Sequence, residues 1–371
     1  MNLKSYPSPL KSFVFKRSKK TARNRTVLAA MTNKQSHDNG IISDDEVKWL
    51  AHRAEGGFGI ITTAATHVSK NGQGWEGEFG VFDDNHIEKL QELTNAVQSY
   101  GSLILAQLFH GGIRSPEVIT GQQPMSASEL KCKESINGVS RSASEEDINN
   151  IIQDFTSAAI RCVRSGFDGI ELHGAHGYLI SQFLGTKTNM RKDKWGGCLK
   201  NRYRLLSKII DSIKNNVPES FIVGVRISPE IEDMGIRLDD SLKLATYLRD
   251  DGIDFIHLSC WDVFANSKTQ NKSSKTLTEW FIESIDKIPP VISTGNIWSA
   301  LDAKKTMEQG ADFIGVARAG IGHPFWAKNI IDDTYNPKKP PYSADYLKKV
   351  SLSENFIKYM RNWKGFVEEV E

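Results

Sequence analysis

The segment from His173 to Leu179, HGAHGYL, holds two histidines three residues apart and a tyrosine two residues further on. Histidines so spaced can ligate a metal, but no carboxylate or cysteine sits at a matching spacing to complete a site. Paired imidazole donors are better suited to holding the oxygen of a bound carbonyl, with the Tyr178 hydroxyl as a nearby proton source. Two more polar residues interrupt apolar runs elsewhere, Gln107 in LILAQL and Arg226 in FIVGVRIS.

The elements that must position these residues recur along the chain. Short apolar, β-branched runs start at Thr26 (TVLAAM), Phe58 (FGIITT), Leu103 (LILAQL), Gly169 (GIELHG), Phe221 (FIVGVRIS), Asp254 (DFIHLS), Val291 (VISTG) and Asp312 (DFIGVAR). Each has the length of a strand buried on both faces. Amphipathic segments between them begin near Ser43, Asp83, Ser144, Leu199, Asp239, Ser274 and Ser299, several with N-cap and acidic first-turn signals. The runs are too far apart for hairpins, so the connections are crossovers and the sheet is parallel.

Eight such units predict an α/β fold, a (β/α)₈ TIM barrel forming a single domain. The expected division is an N-terminal cap over residues 1–25, a barrel over 26–335 and a helical tail over 336–371. Long loops follow the third, fourth and sixth strands, at the end where barrels keep their sites. Alternation then turns Glu171 and His173 inward, and likewise Gly224, Arg226 and Ser228, with Gln107 just below the mouth. A satisfied polar layer would also use such residues, but three strands converging beside long loops favour a site. At the last unit, Ala317 and Arg318 precede a Gly-rich turn, and STGN (Ser293 to Asn296) follows the seventh strand. Barrels build phosphate sites there, and a guanidinium fork suits the anion, although Arg318 could equally form a surface ion pair.

Composition narrows the function classes. With a net charge of +2 the chain has no basic field for nucleic acid. No apolar run reaches the ~20 residues of a membrane span, and the N-terminus lacks a signal-peptide core. Cys132, Cys162, Cys198 and Cys260 are scattered, which argues against zinc frameworks, iron–sulfur ligation and a disulfide scaffold. A cytoplasmic location is the default expectation. The basic stretch Lys16, Arg17, Lys19, Lys20, Arg23 and Arg25 reads as solvated surface rather than a transit peptide. The run Gly72 to Gly77 satisfies GxGxxG but leads into EFGVFDD instead of a helix, so it lacks the context of a dinucleotide fingerprint. C-terminal aromatics (Phe356, Tyr359, Trp363, Phe366) are candidates for an exposed contact in a homo-oligomer.

These motifs, in order, resemble the old yellow enzyme family of FMN-dependent NAD(P)H oxidoreductases. They run from NRTVLAAMT (Asn24 to Thr32) through AQLFHGGIRS (Ala106 to Ser115) and ELHGAHGYLISQFL (Glu171 to Leu184). RKDKWGGCLKNRYRLL (Arg191 to Leu206), VGVRIS and the closing AR complete the series. The resemblance implies non-covalent FMN across the barrel mouth and NADH or NADPH as reductant. It implies that Ala30, Met31 and Thr32 line the flavin and that Ala65 and Gln107 meet its pyrimidine part. Arg226 would stand by N1 and O2, and Gly295, Asn296, Ala317 and Arg318 would hold the phosphate. His173 and His176 would bind a substrate carbonyl and Tyr178 would protonate the α-carbon. The implied activity is ping-pong hydride transfer through flavin N5 to the activated C=C bond of an enone-type small molecule. Ala30 stands where relatives commonly have Pro, and Ala317 where Gly is common; the backbone contacts survive both changes. Two other readings are weaker. A Schiff-base lyase of the same fold needs a strand Lys, which no run supplies, and a flavin-binding redox sensor has no use for Tyr178.

Overall fold

The computed structural model describes residues 6–270 and 273–369. Residues 1–5 of the expected cap and 370–371 of the expected tail lie outside them. Eight parallel strands close into a barrel in chain order: β1 (Thr26–Leu28), β2 (Ile60–His67), β3 (Leu103–Phe109), β4 (Gly169–Gly174), β5 (Ile222–Ile227), β6 (Phe255–Ser259), β7 (Val291–Thr294) and β8 (Phe313–Val316). The crossover helices are α1 (Asp44–Glu55), α2 (Ile87–Gln98), α3 (Glu145–Arg164), α4 (Leu199–Asn216), α5 (Leu238–Asp250), α6 (Leu277–Ser284), α7 (Ala300–Glu308) and the short α8 (Arg318–Gly322).

Local sequence explains where the helices begin. Ser43 caps α1 through the Glu46 N–H, and Ser144 and Ser299 make full capping boxes with Asp147 and Asp302. Helix α6 starts later than Ser274 suggests, because Thr276 and Glu279 form the box there. The first strand is shorter than TVLAAM. It ends at Leu28, and Ala30, Met31 and Thr32 lie in the irregular, half-buried chain beyond it. Strand β2 is longer than FGIITT, with a bulge between Thr62 and Ala65 that keeps it paired to β3 as far as His67.

Alternation along the strands sorts the core into two layers. Leu28, Ile61, Ile104, Ile170, Val223, Val225, Ile256 and Ile314 face the helices. Val27, Ile60, Leu105, Ile222, Phe255, Ile292 and Phe313 fill the lower barrel, where Phe15 and Ala22 join them. Gly224 has no choice of side chain: a Cβ would lie 2.1 Å from the Phe255 ring. Phe15 belongs to a small hairpin (Phe13–Val14 with Thr21–Ala22) and stacks on Phe313 at 5.6 Å.

The basic stretch beside this hairpin is not merely solvated surface. Asp168, Asp254 and Asp312 each precede a strand, and each accepts the N–H of a neighbouring strand's residue, Ile104, Val223 and Val291 respectively. Lys20 pairs with Asp168 at 2.8 Å, Arg17 pairs with Asp254, and Arg25 reaches the Asp312 carbonyl at 3.0 Å. The carboxylates satisfy strand ends, and the cations complete them.

The C-terminal aromatics divide. Phe356 is buried against Trp49 with ring centres 5.4 Å apart, and Phe366 is buried against Tyr342 at 5.4 Å. Both serve this chain's own core, which removes them from the expected oligomer contact. Trp363 remains exposed. Among the described residues no helix is long and apolar enough to cross a membrane.

Candidate active site

The turn after β4 owes its shape to two successive left-handed residues, His176 at φ 59° and Gly177 at φ 82°. They reverse the chain into the short helix Leu179–Leu184, so that Tyr178 sits at its N-cap. Gln182 of that helix is buried and holds the turn against the loop after β3. It donates to the carbonyls of Gly111 and Gly177 and accepts from the Ile113 N–H. Arg114 adds a bond to the His176 carbonyl at 2.9 Å and lies 4.7 Å over the Tyr178 ring.

The three side chains of the HGAHGYL segment therefore converge. Ring centres of His173 and His176 are 5.0 Å apart, and Tyr178 is 4.9 Å from His173 and 4.5 Å from Phe109. His173 Nδ1 accepts the Ala175 N–H at 3.3 Å, so the neutral ring carries its proton on Nε2. Burial, with His176 and Arg226 nearby, holds His173 well below the ordinary histidine range. The crowded walls and Arg226 depress His176 too, although its ring edge opens to solvent. Burial raises the Tyr178 phenol above 10.0, against the opposing pull of Arg114. Two neutral N–H donors and a protonated phenol result.

Arg226 on β5 is buried beneath them. It donates to Ala30 O at 3.3 Å and to Ser259 Oγ at 3.0 Å, while His176 Nε2 meets the same hydroxyl at 2.6 Å. The sequence motifs do not single out Ser259, though alternation along DFIHLS turns Phe255, His257 and Ser259 inward. Ala65 and Gln107 are register neighbours on β2 and β3, and Met31 and Thr32 continue half-buried from Ala30. A separate group lies beyond β7 and β8. Asn296 is left-handed at φ 56°, and Gly295 is required by close approach, since a Cβ would meet the Cys260 carbonyl at 2.2 Å. Ala317 precedes α8, whose first residue, Arg318, is exposed and lies 6.0 Å over the Trp298 ring. Lys339 approaches the same ring at 5.6 Å, from a tail position that spacing could not reveal. The Arg318 guanidinium thus lies over an indole ring at the surface. No group of three or more His, Cys, Asp or Glu side chains among them is arranged to hold a metal ion.

Helix α1 anchors the segment that follows Thr32. Glu46 of α1 accepts bonds from Asn33 Nδ2 at 2.7 Å and Ser36 Oγ at 2.6 Å. Burial pushes its carboxyl up to about 7. A folded-state value above the unfolded one of about 4.3 means stability that is full below that pH and lost as pH rises through about 7. Glu46→Gln removes this dependence. The Tm of the wild type relative to the variant is expected to fall between about pH 4.5 and pH 8; a constant difference would contradict the assignment.

The model of the NADH:flavin oxidoreductase / NADH oxidase family matches residues 14–336. The chain belongs to the old yellow enzyme family. It is 31% identical to the probable NADH-dependent flavin oxidoreductase YqiG of Bacillus subtilis, over 98% of each chain. It is 33% identical to an NADPH dehydrogenase of Bacillus licheniformis, over 88% of this chain and 95% of the relative. The old yellow enzyme homologue from Zymomonas mobilis superposes with a TM-score of 0.80 at 26% identity, over 92% of this chain and 96% of the other. Other relatives are longer, and the chain spans 32%, 34% and 49% of three of them. As an old yellow enzyme it is an oxidoreductase that uses FMN with NAD(P)H as reductant. The residues present suit that group. The Arg226 Nε is buried without a partner, Gln107 and Ala65 are register neighbours on β2 and β3, and Asn296 after β7 is left-handed. FMN would be held by its ring over Ala30–Thr32, Ala65, Gln107 and Arg226, and by its phosphate at Gly295, Asn296, Ala317 and Arg318.

Proposed function

We propose that this old yellow enzyme reduces the activated C=C bond of α,β-unsaturated carbonyl compounds. The observation that carries the reading is the cluster of two imidazoles with ring centres 5.0 Å apart and the Tyr178 ring 4.9 Å from the first; burial favours the neutral form of all three groups. Bound FMN supplies a two-electron carrier that takes hydride from NAD(P)H and gives it to an electron-poor carbon. His173 donates from Nε2 to the carbonyl oxygen and withdraws electron density from the conjugated bond. His176, braced by Ser259 and by its own backbone bond to Ser228 Oγ at 3.1 Å, supplies a second donor on the same oxygen. Neutral donors fit this role because their bonds strengthen as charge develops on the oxygen, with no change of protonation. Tyr178 gives its proton to the carbon next to the carbonyl, and Arg114 over its ring stabilises the phenolate left behind.

The test separates the two half-reactions. Enzyme loaded with FMN and reduced anaerobically by NADH or NADPH is then mixed with 2-cyclohexenone, N-methylmaleimide or a saturated ketone. Rapid reoxidation by the first two and none by the third is expected. Reoxidation by oxygen alone, with no saturated product from any enone, would sink the reading.

A further inference from the structure

Beneath the mouth, four barrel strands contribute one polar chain that enone reduction by His173, His176 and Tyr178 does not use. Gln107 Nε2 donates to Glu171 Oε1 at 2.6 Å, Glu171 Oε2 meets His257 Nδ1 at 2.6 Å, and His257 Nε2 meets Thr294 Oγ1 at 2.6 Å. Glu171 and His257 are fully buried. The chain has been given room on a fifth strand: a Cβ on Gly315 would come 1.5 Å from Thr294 Oγ1 and 3.3 Å from His257 Nε2.

The donor and acceptor roles follow from chemistry. An ionised carboxylate only accepts, so the Gln107 amide must turn its NH₂ to Glu171 and present its carbonyl oxygen the other way. His257 then donates from Nδ1 and accepts the Thr294 hydroxyl proton at Nε2, which is the neutral tautomer. Burial opposes charge on Glu171, but His257, Arg226 and Gln107 outweigh it and hold the carboxyl below its ordinary value. Burial keeps His257 below the usual histidine range despite that carboxylate. The result is one fixed negative charge under the ring site, opposed to the fixed cation of Arg226.

We propose that Glu171 is a positioning residue for the flavin, whose buried negative charge lowers the reduction potential that Arg226 raises and whose hydrogen bond fixes the polarity of the Gln107 amide. This rests on the reading that Gln107 and Arg226 border the flavin ring. A negative charge near a group that becomes more electron-rich disfavours its reduced form. Removing it must therefore act in one direction. In Glu171→Gln the affinity for reduced FMN relative to oxidised FMN is expected to rise by about tenfold or more, read as a shift of about +30 mV for a two-electron couple. His257→Asn, which keeps a neutral donor where Nδ1 stands, is expected to leave the potential in place. A general disturbance of the buried chain would move both variants alike.

The experiment is spectroelectrochemical titration of each FMN-loaded protein, with the two FMN affinities measured separately by equilibrium dialysis. Arg226→Gln is the reference and should shift the potential downward. That shift together with an upward one in Glu171→Gln supports the proposal. A downward shift in Arg226→Gln with no change or a fall in Glu171→Gln overturns the role of Glu171 while leaving the ring site intact. No change in either variant overturns both the role and the placement of the ring. If Glu171→Gln fails to fold, Glu171→Asp, which keeps the charge but shortens the reach to Gln107, must hold the potential near the wild-type value; an upward shift as large as that expected of the lost charge would overturn the electrostatic account.

Discussion

Tyr178→Phe is expected to slow enone reduction by about 10²- to 10⁴-fold, the usual contribution of a positioned general acid, while flavin reduction by NAD(P)H proceeds as in the wild type. The expectation rests on what the substitution leaves alone. The ring is held by Phe109, His173 and the Arg114 guanidinium, and a phenyl group keeps all three contacts. The side chain makes no cap bond to the helix it begins, so the hydroxyl contributes nothing to the turn. Only the proton is lost. Because burial raises the phenol above its ordinary value, the wild-type rate should stay level with pH through the neutral range, with no loss from phenol ionisation below 10. Stopped-flow traces of the two half-reactions check both points. Equal slowing of both would mean that Tyr178 shapes the mouth instead of donating to the substrate.

The largest effect on stability is expected from Arg53, far from the chemistry. This residue of α1 is fully buried with no carboxylate partner among the described residues, and four backbone carbonyls solvate its charge. Nε reaches Gly320 O at 3.1 Å, Nη1 reaches Trp49 O at 3.2 Å and Val350 O at 2.8 Å, and Nη2 reaches Ile321 O at 2.8 Å. The guanidinium also lies 4.7 Å over the Trp49 ring. Arg53→Leu leaves those carbonyls buried and unpaired, at roughly 1–3 kcal/mol for each group that finds no water. A total loss of about 3–5 kcal/mol follows, in the range for breaking a buried charged network. Arg53→Lys keeps the charge but loses the fork and should fall between the two. Denaturant midpoints measure the order. Because Gly320 and Ile321 belong to α8, FMN affinity should fall in both variants as Arg318 loses its support; unchanged affinity in a destabilised Arg53→Leu would separate the two roles.

Much of the barrel and its site is legible in the sequence. Strict alternation in a strand buried on both faces decides which side chains enter the barrel, so His173, Arg226 and Glu171 can be placed from GIELHG and IVGVRIS alone. Helix starts are equally legible at Ser43, Ser144 and Ser299, where the capping chemistry is local. What escapes is set by long-range packing. The pairing of Arg17 with Asp254 and of Lys20 with Asp168 joins residues that nothing local connects. Phe356 and Phe366 look exposable in a polar tail, and only the position of Trp49 and Tyr342 shows that they are covered. His257 escapes for another reason. It lies in an inward register but away from any recognisable motif, so its partnership with Glu171 emerges only when β4 and β6 are brought to either side of β5.

The hairpin that fills the barrel floor has a temporal consequence. Residues 13–25 leave the ribosome before any barrel strand, yet Phe15 packs on Phe255 and Phe313, and Arg25 bonds to Asp312. Their seat does not exist until β6 and β8 have been made. During synthesis this apolar and basic stretch therefore waits undocked while the barrel strands follow it, a long interval open to wrong partners or to a chaperone. Docking of this early segment therefore depends on strands made much later in the chain.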